Sequence, residues 1–211
     1  MQRETFENKV KRYVREVHDE YNINVPLSDV RVEVEDKSLK NKTNYGRAKQ
    51  AVEIPYRLIV NYNPFKKDIV DFEHVKATVR HEWAHIIQMD ICEVSSHGET
   101  FKWLAERLDF PDDRYENTHN AKYRLRCHVC DFTVSKSKNS KKVKQARDNR
   151  ITCYRCSKRS DRSSLMNVER VDIVKCIRKL EELAFVESEN EEDKDWKDKA
   201  LTNLQTAKNS K

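Results

Sequence analysis

The sequence predicts an α+β fold, in which helices and a small sheet form one core and a compact cysteine-containing module follows it. Three observations support this prediction. In several segments apolar residues recur at spacings of three and four, which is typical of amphipathic helices. The segment Val30 to Val34 alternates apolar and charged residues as a half-buried strand does. Two Cys-x-x-Cys pairs lie near residues 127 and 153, beyond the helical and strand patterns.

The first half of the chain contains the elements of the core in a regular order. Residues 4–21 form an amphipathic helix, and strands are predicted at 30–34, 47–54 and 57–62. Gly46, one of only two glycines in the chain, marks a turn before the second strand. Asn63-Pro64 ends the third strand, because proline cannot continue a ladder of backbone hydrogen bonds.

Two further helices follow these strands. The second helix is predicted to begin at Asp68 or Asp71, either of which can act as its N-cap, and to end at about residue 91. Ser96 and Glu99 have the spacing of a capping box, which predicts a third helix over 97–108. The sequence Phe110-Pro111 ends that helix.

The composition limits the size of the core and the class of protein. Of the 211 residues, 37% are hydrophobic and 37% are charged, which predicts a core of roughly 110–120 residues with solvated parts around it. The chain has no run of 18 apolar residues and no apolar signal-peptide segment at its start. We therefore expect an intracellular, cytoplasmic protein without a membrane span.

One five-residue motif carries most of the functional information. His81-Glu82-Trp83-Ala84-His85 is an HExxH sequence within the second helix, where histidines at i and i+4 project from one face and can bind one metal ion. Glu82 lies beside them and is the candidate catalytic base, which takes a proton from a zinc-bound water. The motif therefore predicts a catalytic zinc site. The alternative is an amphipathic helix with two solvated or core histidines.

A catalytic zinc site needs a third protein ligand, and the sequence offers two candidates. His97 comes at the predicted start of the third helix, where Gly98 permits a close approach of the backbone. Glu106 lies about two and a half turns further along, so the two side chains face different directions and only one can be a ligand. We favour His97, which leaves the fourth position open for water. Candidates for stabilising the oxyanion are Tyr62, Tyr115 and His119.

The two Cys-x-x-Cys pairs predict a second, structural zinc site. Each pair forms a tight knuckle, and two knuckles complete a tetrahedron of four thiolates. The 22 residues between the pairs slightly exceed the usual spacing, and we expect the excess to form a protruding hairpin tip. We expect the remaining cysteines, Cys92 and Cys176, to be buried thiols. The ligands of the structural site are Cys127, Cys130, Cys153 and Cys156.

Positive charge is concentrated around the cysteine pairs. The chain has a net charge of +6, but residues 122–162 hold 14 lysines and arginines against three acidic residues. Such a block predicts binding to DNA, single-stranded or without sequence preference, while a basic loop without a partner is the alternative. Tyr123, Phe132 and Tyr154 either stack on unpaired bases or pack against the knuckles. The candidate contacts are Arg124, Arg126, Lys136, Lys138, Lys141, Lys142, Lys144, Arg147, Arg150, Arg155, Lys158 and Arg159.

Together these motifs resemble the SprT-like family, which includes bacterial SprT and the catalytic domain of Spartan-type DNA-protein-crosslink proteases. The resemblance covers roughly residues 5–165 and rests on the HExxH motif, the segment 97–101 (His-Gly-Glu-Thr-Phe), Thr118-His119 and the four paired cysteines. It implies a minigluzincin-like metalloprotease core followed by a zinc-ribbon module. It also implies that His81, His85 and His97 bind the catalytic zinc, that Glu82 is the base, and that the ribbon supports DNA binding.

The motifs, the apolar spacing and the composition together suggest a division of the chain into four parts. A SprT-like metalloprotease domain is expected at 1–120, a basic zinc ribbon at 121–165, a C-terminal helix at 166–186 and a charged, flexible tail at 187–211. The helix is predicted from apolar spacing over 168–185, and the tail from its charged and polar composition. The resemblance does not extend to residues 166–211.

The predicted function is that of a zinc metalloendopeptidase with one catalytic and one structural zinc ion. Its partners would be DNA and protein substrates, and it would cleave DNA-bound or DNA-crosslinked proteins in the nucleoid, or in the nucleus of a eukaryote. Two other functions stay open. One is a zinc peptidase whose target is a specific regulatory protein and which needs no DNA. The other is a non-catalytic, zinc-stabilised DNA-binding protein in which Glu82 has no role.

Overall fold

The computed structural model describes residues 1–37, 45–51, 54–110, 120–136, 138–157 and 165–186, and has a mixed α+β architecture. Its first sheet contains β1 (Val30–Glu35), β2 (Gly46–Gln50) and β3 (Tyr56–Asn61) in the order β1-β3-β2. β1 is parallel to β3 and β2 is antiparallel to it. Within the described ranges β2 pairs only with β3, which makes it an edge strand of this sheet. The strand predicted over 47–54 ends at Gln50, and the next N–H, that of Ala51, donates to the Pro55 carbonyl (3.1 Å).

Two long helices cover the sheet and form most of the core. They are α1 (Arg3–Glu20) and α3 (Phe72–Cys92), with the short α2 (Asn63–Lys66) between β3 and α3. The apolar stripe of α1 packs against α3 and β1, and α3 packs against β2 and β3. Trp83 of α3 and Leu58 of β3 are fully buried. Each side chain of this size contributes about 2–3 kcal/mol when removed from water.

The ends of α3 are fixed by specific groups. Asp71, one of the two predicted caps, accepts a hydrogen bond from His74 N–H (2.9 Å), whereas Asp68 has a positive φ of 52° just after α2. At the other end Glu93 adopts the left-handed conformation (φ 54°), which stops the helix. The helix that carries the HExxH motif therefore spans 21 residues and is buried along much of its length.

The third predicted helix, α4, is shorter than expected and lacks the predicted capping box. It spans Glu99–Arg107, and its N-cap is Gly98 rather than Ser96. The N–H of Glu99 donates instead to the side chain of Asn120 (2.7 Å), which arrives from a distant part of the chain. A Cβ on Gly98 would lie 2.7 Å from Asn120 Cα, so this contact requires glycine. The prediction failed because a non-local acceptor replaced the local serine.

The cysteine pairs lie in a second, smaller unit, which we call the ribbon (residues 120–170). Its antiparallel sheet contains β4 (Tyr123–Cys127), β5 (Thr133–Lys136) and β6 (Met166–Arg170) in the order β5-β4-β6. Two short helices, α5 (Lys141–Arg147) and α6 (Tyr154–Ser157), lie between β5 and β6. The hairpin tip predicted for the insert is therefore wrong. Residues 141–147 form a helix because Val143 and Ala146, three residues apart, pack against Leu125 and Met166.

The C-terminal helix begins later than predicted and belongs to the first core. α7 spans Ile173–Leu183, and the preceding residues 166–170 form strand β6, which corrects the helix predicted at 168–185 and the segment assigned as helix at 166–186. Val168 pairs with Leu125 and packs on the ribbon core. Ile177 and Leu180 of α7 are buried against α3 and α4. No helix in the described ranges has the length and apolar character needed to cross a membrane.

Candidate metal centre

Three histidines converge beside the junction of α3 and α4. His81 and His85 lie on one face of α3, and His97 lies in the segment that leads into α4. The Nε2 atoms of His85 and His97 are 3.1 Å apart, and those of His97 and His81 are 3.3 Å apart. Nitrogen ligands at about 2.0–2.1 Å from a tetrahedral zinc ion are about 3.3 Å from one another. The three nitrogen atoms are therefore spaced to hold a metal such as zinc.

The structure distinguishes between the two candidates for the third ligand. His97 belongs to the cluster, whose ligand atoms all lie within 4.8 Å of one another, and Glu106 does not. Glu106 is exposed on α4, beyond the buried face of that helix. Among the oxyanion candidates, Tyr62 is buried beside Phe6 and donates to the Met1 carbonyl (2.5 Å). Tyr115 and His119 lie outside the described residues.

A single aromatic ring forms the base of the histidine cluster. Phe101 of α4 is fully buried, and its ring centroid lies 4.8 Å from that of His81, 4.6 Å from that of His85 and 4.7 Å from that of His97. This ring excludes water from one side of the cluster and limits rotation of the imidazoles. The predicted third helix therefore supports the site through Phe101, while the ligand itself precedes the helix.

The segment that carries His97 is held by a buried glutamine that the sequence analysis did not identify. Gln88 accepts a hydrogen bond from Ser96 N–H (2.8 Å) and donates to the Thr100 hydroxyl (2.5 Å). These two groups flank His97, so Gln88 restrains the segment on both sides of the ligand. The available signal in the sequence was an amide side chain three positions after His85, on the same face of α3 as the two candidate ligands.

Glu82 is buried between α3 and the edge strand β2. Only 5% of its surface is exposed, and it accepts a hydrogen bond from the backbone N–H of Ala48. A Cβ at Gly46 would lie 2.6 Å from Thr78 Cγ2 and 3.2 Å from Glu82 Cγ, so glycine allows β2 to approach α3 here. Both glycines of the chain thus lie at close contacts around the site.

Burial changes the protonation of two groups in the centre. It raises the pKa of Glu82 from 4.5 to about 8, although the Ala48 N–H and the charge of Arg47 act in the opposite direction. It also lowers the pKa of His85 well below its ordinary value, and the neighbouring histidines add to this effect. His85 is therefore neutral at physiological pH, which is the form that binds metal.

The raised pKa of Glu82 predicts a pH-dependent stability of the metal-free protein. Between pH 4.5 and 8 the folded state keeps a proton that the unfolded state has lost, so the free energy of unfolding falls as pH rises through this range. Glu82→Gln removes this dependence and is expected to be more stable than wild type by on the order of 4 kcal/mol at pH 8. Denaturant unfolding of both proteins at pH 5 and pH 8 measures the difference.

The same comparison of wild type and Glu82→Gln with bound metal is the control for this pH effect. A bound divalent cation beside Glu82 favours the ionised carboxylate, so zinc should reduce the stability difference between the two proteins. A difference between wild type and Glu82→Gln that is the same at pH 5 and pH 8 without metal would contradict the prediction.

The histidine cluster and Glu82 open onto a cleft of about 850 Å³. One wall is the edge strand β2, which contributes Gly46, Arg47 and Ala48. The opposite side includes the apolar residues Ile69 and Phe110. The size of the cleft is in the range of pockets that bind small molecules or short segments of a larger ligand. Its position next to three metal-ligand nitrogens and a carboxylate makes it the candidate active site.

The four paired cysteines form a second cluster that could hold a metal. The Sγ atoms of Cys127 and Cys156 are 3.8 Å apart, and those of Cys130 and Cys153 are 3.7 Å apart. Thiolates at about 2.3 Å from a tetrahedral zinc ion are about 3.8 Å from one another, whereas a disulfide requires about 2.05 Å. The N–H groups of Val129 and Cys130 donate to the Cys127 sulfur, as expected where a thiolate needs stabilisation.

No known protein family, curated protein or solved structure matches this chain. The fold and the two ligand clusters therefore rest on the geometry described above, and the resemblance to the SprT-like family stays a prediction from the motif residues.

The predicted DNA-contact residues fall into two groups in the structure. The first group is engaged within the protein: Arg124 pairs with Glu93 and Glu169, and Arg126 pairs with Glu93 and Asp131. Arg155 lies over Phe132 (4.1 Å to the ring centroid), and Arg147 lies over Tyr123 (5.3 Å), so these aromatic rings are partly covered. The second group is exposed and comprises Lys138, Lys141, Lys142 and Lys144. Arg147 and Arg150 are also exposed, but Arg147 lies over Tyr123 and Arg150 pairs with Asp148. Lys136 is half-buried, and Lys158 and Arg159 lie outside the described residues.

Proposed function

We propose that the protein is a SprT-like zinc metalloendopeptidase with a minigluzincin-like core, which cleaves proteins bound or crosslinked to DNA. The observation that carries the proposal is the convergence of His81, His85 and His97 beside the buried Glu82 in an open cleft. Three protein ligands leave one tetrahedral position for the reaction, which distinguishes a catalytic zinc site from a structural one. The four-cysteine cluster has no such position.

The residues of the site have separate tasks in this reaction. The three histidines would hold a zinc ion, which would act as a Lewis acid toward water and a peptide carbonyl. Glu82 accepts the proton of the attacking water and transfers it to the leaving amine as the C–N bond breaks. Burial raises the pKa of Glu82 in the metal-free protein, and a metal held by the neighbouring histidines would favour the ionised carboxylate that accepts the proton. Phe101 keeps water away from the base of the site.

The edge strand β2 supports binding of an extended polypeptide. Three of its residues, Gly46, Arg47 and Ala48, line the cleft, and within the described residues β2 pairs only with β3. A peptide in extended conformation can add to such an edge through backbone hydrogen bonds, with little dependence on its side chains. This mode of binding suits a protease that acts on many different DNA-bound proteins.

The exposed lysines of α5 support binding of DNA. Lys141, Lys142 and Lys144 lie on the solvent side of a helix whose other face packs on the ribbon core. Replacing all three with alanine is expected to weaken binding to single-stranded DNA and to reduce the salt slope by about 2, at about 0.7 per lost phosphate contact. Fluorescence anisotropy at several salt concentrations measures this slope.

The control for this prediction removes the same charge from another helix. Lys175, Arg178 and Lys179 are exposed on α7, in the first core. Their replacement by alanine changes the net charge equally and should leave the salt slope close to that of wild type. Equal effects of the two triple variants would show that net charge, rather than the surface of α5, controls binding.

The experiment that tests the proposed function is cleavage of a DNA-binding protein by the purified, zinc-loaded chain with and without single-stranded DNA. The proposal predicts cleavage that requires Glu82 and that increases when DNA is present. Cleavage of a defined protein target without any effect of DNA would favour a peptidase with a specific target. DNA binding without cleavage, by wild type and Glu82→Gln alike, would favour a non-catalytic DNA-binding protein.

A further inference from the structure

A short segment between α3 and α4 connects the two candidate metal sites. The N–H of Ser95 donates to the hydroxyl of Ser135 on β5 of the ribbon (2.9 Å). The hydroxyl of Ser95 lies 3.4 Å from Nδ1 of His85. The Nε2 atom of the same imidazole faces His97. One side chain of the ribbon is therefore two hydrogen bonds away from a nitrogen ligand of the histidine cluster.

The contact to Nδ1 controls how His85 can bind metal. A histidine that binds through Nε2 carries its proton on Nδ1, and the acceptor of that proton fixes the tautomer and the orientation of the ring. Ser95 Oγ lies 3.4 Å from Nδ1 and can accept this proton, and the Gln88 side chain also hydrogen-bonds to His85. Because Ser95 is exposed and lies outside any helix or strand, its own position depends on the groups that hold its backbone.

The ribbon holds this segment at its beginning as well. Glu93 pairs with Arg124 (2.6 Å) and Arg126 (2.7 Å), both on β4. Arg124 also donates to the carbonyl of Cys92 (3.1 Å). The residues from Cys92 to Ser95 are thus fixed by side chains of β4 and β5. Folding of the ribbon and placement of the Ser95 hydroxyl are therefore physically linked.

We propose that Ser95 and Ser135 are positioning residues for His85, through which the folded ribbon raises the affinity of the histidine cluster for its metal. This inference rests on the part of the proposed function that assigns a metal to His81, His85 and His97. It adds that the ribbon contributes to the metal centre itself, separately from any role in binding DNA. Neither serine belongs to the histidine cluster, although Ser95 also lines the cleft.

The test measures metal affinity in the full chain with the four-cysteine cluster already loaded with one equivalent of zinc. Co²⁺ is then titrated, and its visible absorption reports the histidine site, while the absence of thiolate charge-transfer bands confirms that the cysteines keep their zinc. Ser95→Ala and Ser135→Ala are each expected to weaken Co²⁺ binding about tenfold, the lower end of the usual effect of outer ligand partners. Ser135→Thr keeps the hydroxyl and should restore the affinity.

Two further variants separate positioning from general damage to the ribbon. Ser140 caps α5 in the ribbon and has no contact with Ser95, so Ser140→Ala should leave Co²⁺ affinity unchanged. In the Ser95→Ala background, Ser135→Ala should have little additional effect, because both act through one hydroxyl. Fully additive losses would overturn the pathway through Ser95.

The outcomes also separate this inference from the proposed function. If wild type binds Co²⁺ at the histidines and Ser135→Ala binds it equally well, the positioning role is wrong and the peptidase proposal stands. If wild type shows no Co²⁺ spectrum beyond that of free ion, the histidine cluster is not a metal site. That result would overturn both proposals.

Discussion

Replacing Glu82 with glutamine is expected to abolish peptide hydrolysis while leaving metal binding intact. Glutamine has nearly the same shape but cannot accept the proton of the attacking water, and a positioned general base contributes about 10²–10⁴-fold to such a reaction. The variant should therefore lose at least about 10³-fold in kcat/KM if the same group also donates to the leaving amine. Rates on a flexible peptide and on a DNA-bound protein should fall together.

Two measurements make this result specific to the chemical step. Co²⁺ affinity should be unchanged or slightly altered, because Glu82 is not one of the three nitrogen ligands. Glu73→Gln removes the same charge from an exposed position on α3, where Glu73 pairs with Lys76 (2.9 Å), and should retain full activity. A Glu82→Gln variant that kept a tenth or more of wild-type activity would exclude Glu82 as the base.

The features predicted correctly from the sequence are those that depend only on residues close together in the chain. The spacing of His81 and His85 places both on one face of any helix, and the alternation at Val30 to Val34 gives one strand of the sheet. The order of the main helices and strands in the first core was predicted for the same reason, because the apolar periodicity of a helix depends only on neighbouring residues. The structure confirms the predicted mixed α+β architecture.

The features that were missed depend on distant parts of the chain. Asn120 caps α4 across 21 residues, which a search for a local capping box cannot find. Gln88 holds the segment around His97 from another helix. The burial of Glu82 depends on how closely β2 approaches α3. Only the folded structure shows that a Cβ at position 46 would meet Thr78, so that this close approach requires glycine.

The partners of the charged residues also cannot be predicted from the sequence. The sequence analysis treated the basic residues of 122–162 as one surface, because composition gives the sum of the charges and not their partners. In the structure Arg124 and Arg126 form ion pairs with Glu93, and they join the ribbon to the end of α3. The lysines of α5 stay on the surface because that helix has an apolar face of its own, formed by Val143 and Ala146. The structure thus distinguishes basic residues that pair within the protein from the exposed lysines of α5, which can contact a phosphate.

Removing zinc from the four-cysteine cluster is expected to unfold the ribbon while the first core stays folded. Among the described residues, the buried core of the ribbon consists of seven residues, and three of them are cysteines, which leaves little apolar surface to offset the loss of chain entropy. Units of this kind depend on metal for their folding, and structural zinc contributes about 10–16 kcal/mol of binding free energy in small zinc domains. Cys153→Ser should have the same effect as chelation.

Hydrogen exchange followed by mass spectrometry distinguishes the two parts of the molecule. The amides of β4, β5 and β6 should lose their protection after Cys153→Ser, whereas those of α1 and α3 should keep most of theirs, because these helices pack in a separate cluster. Cys176→Ser, which changes a buried thiol of α7 outside the cluster, should leave the ribbon protected. Because β4 and β5 also hold Glu93 and Ser95, the unfolded ribbon should release the segment that precedes His97. A ribbon that stayed protected without its four-cysteine metal would contradict both this dependence and the classification of the cluster as structural.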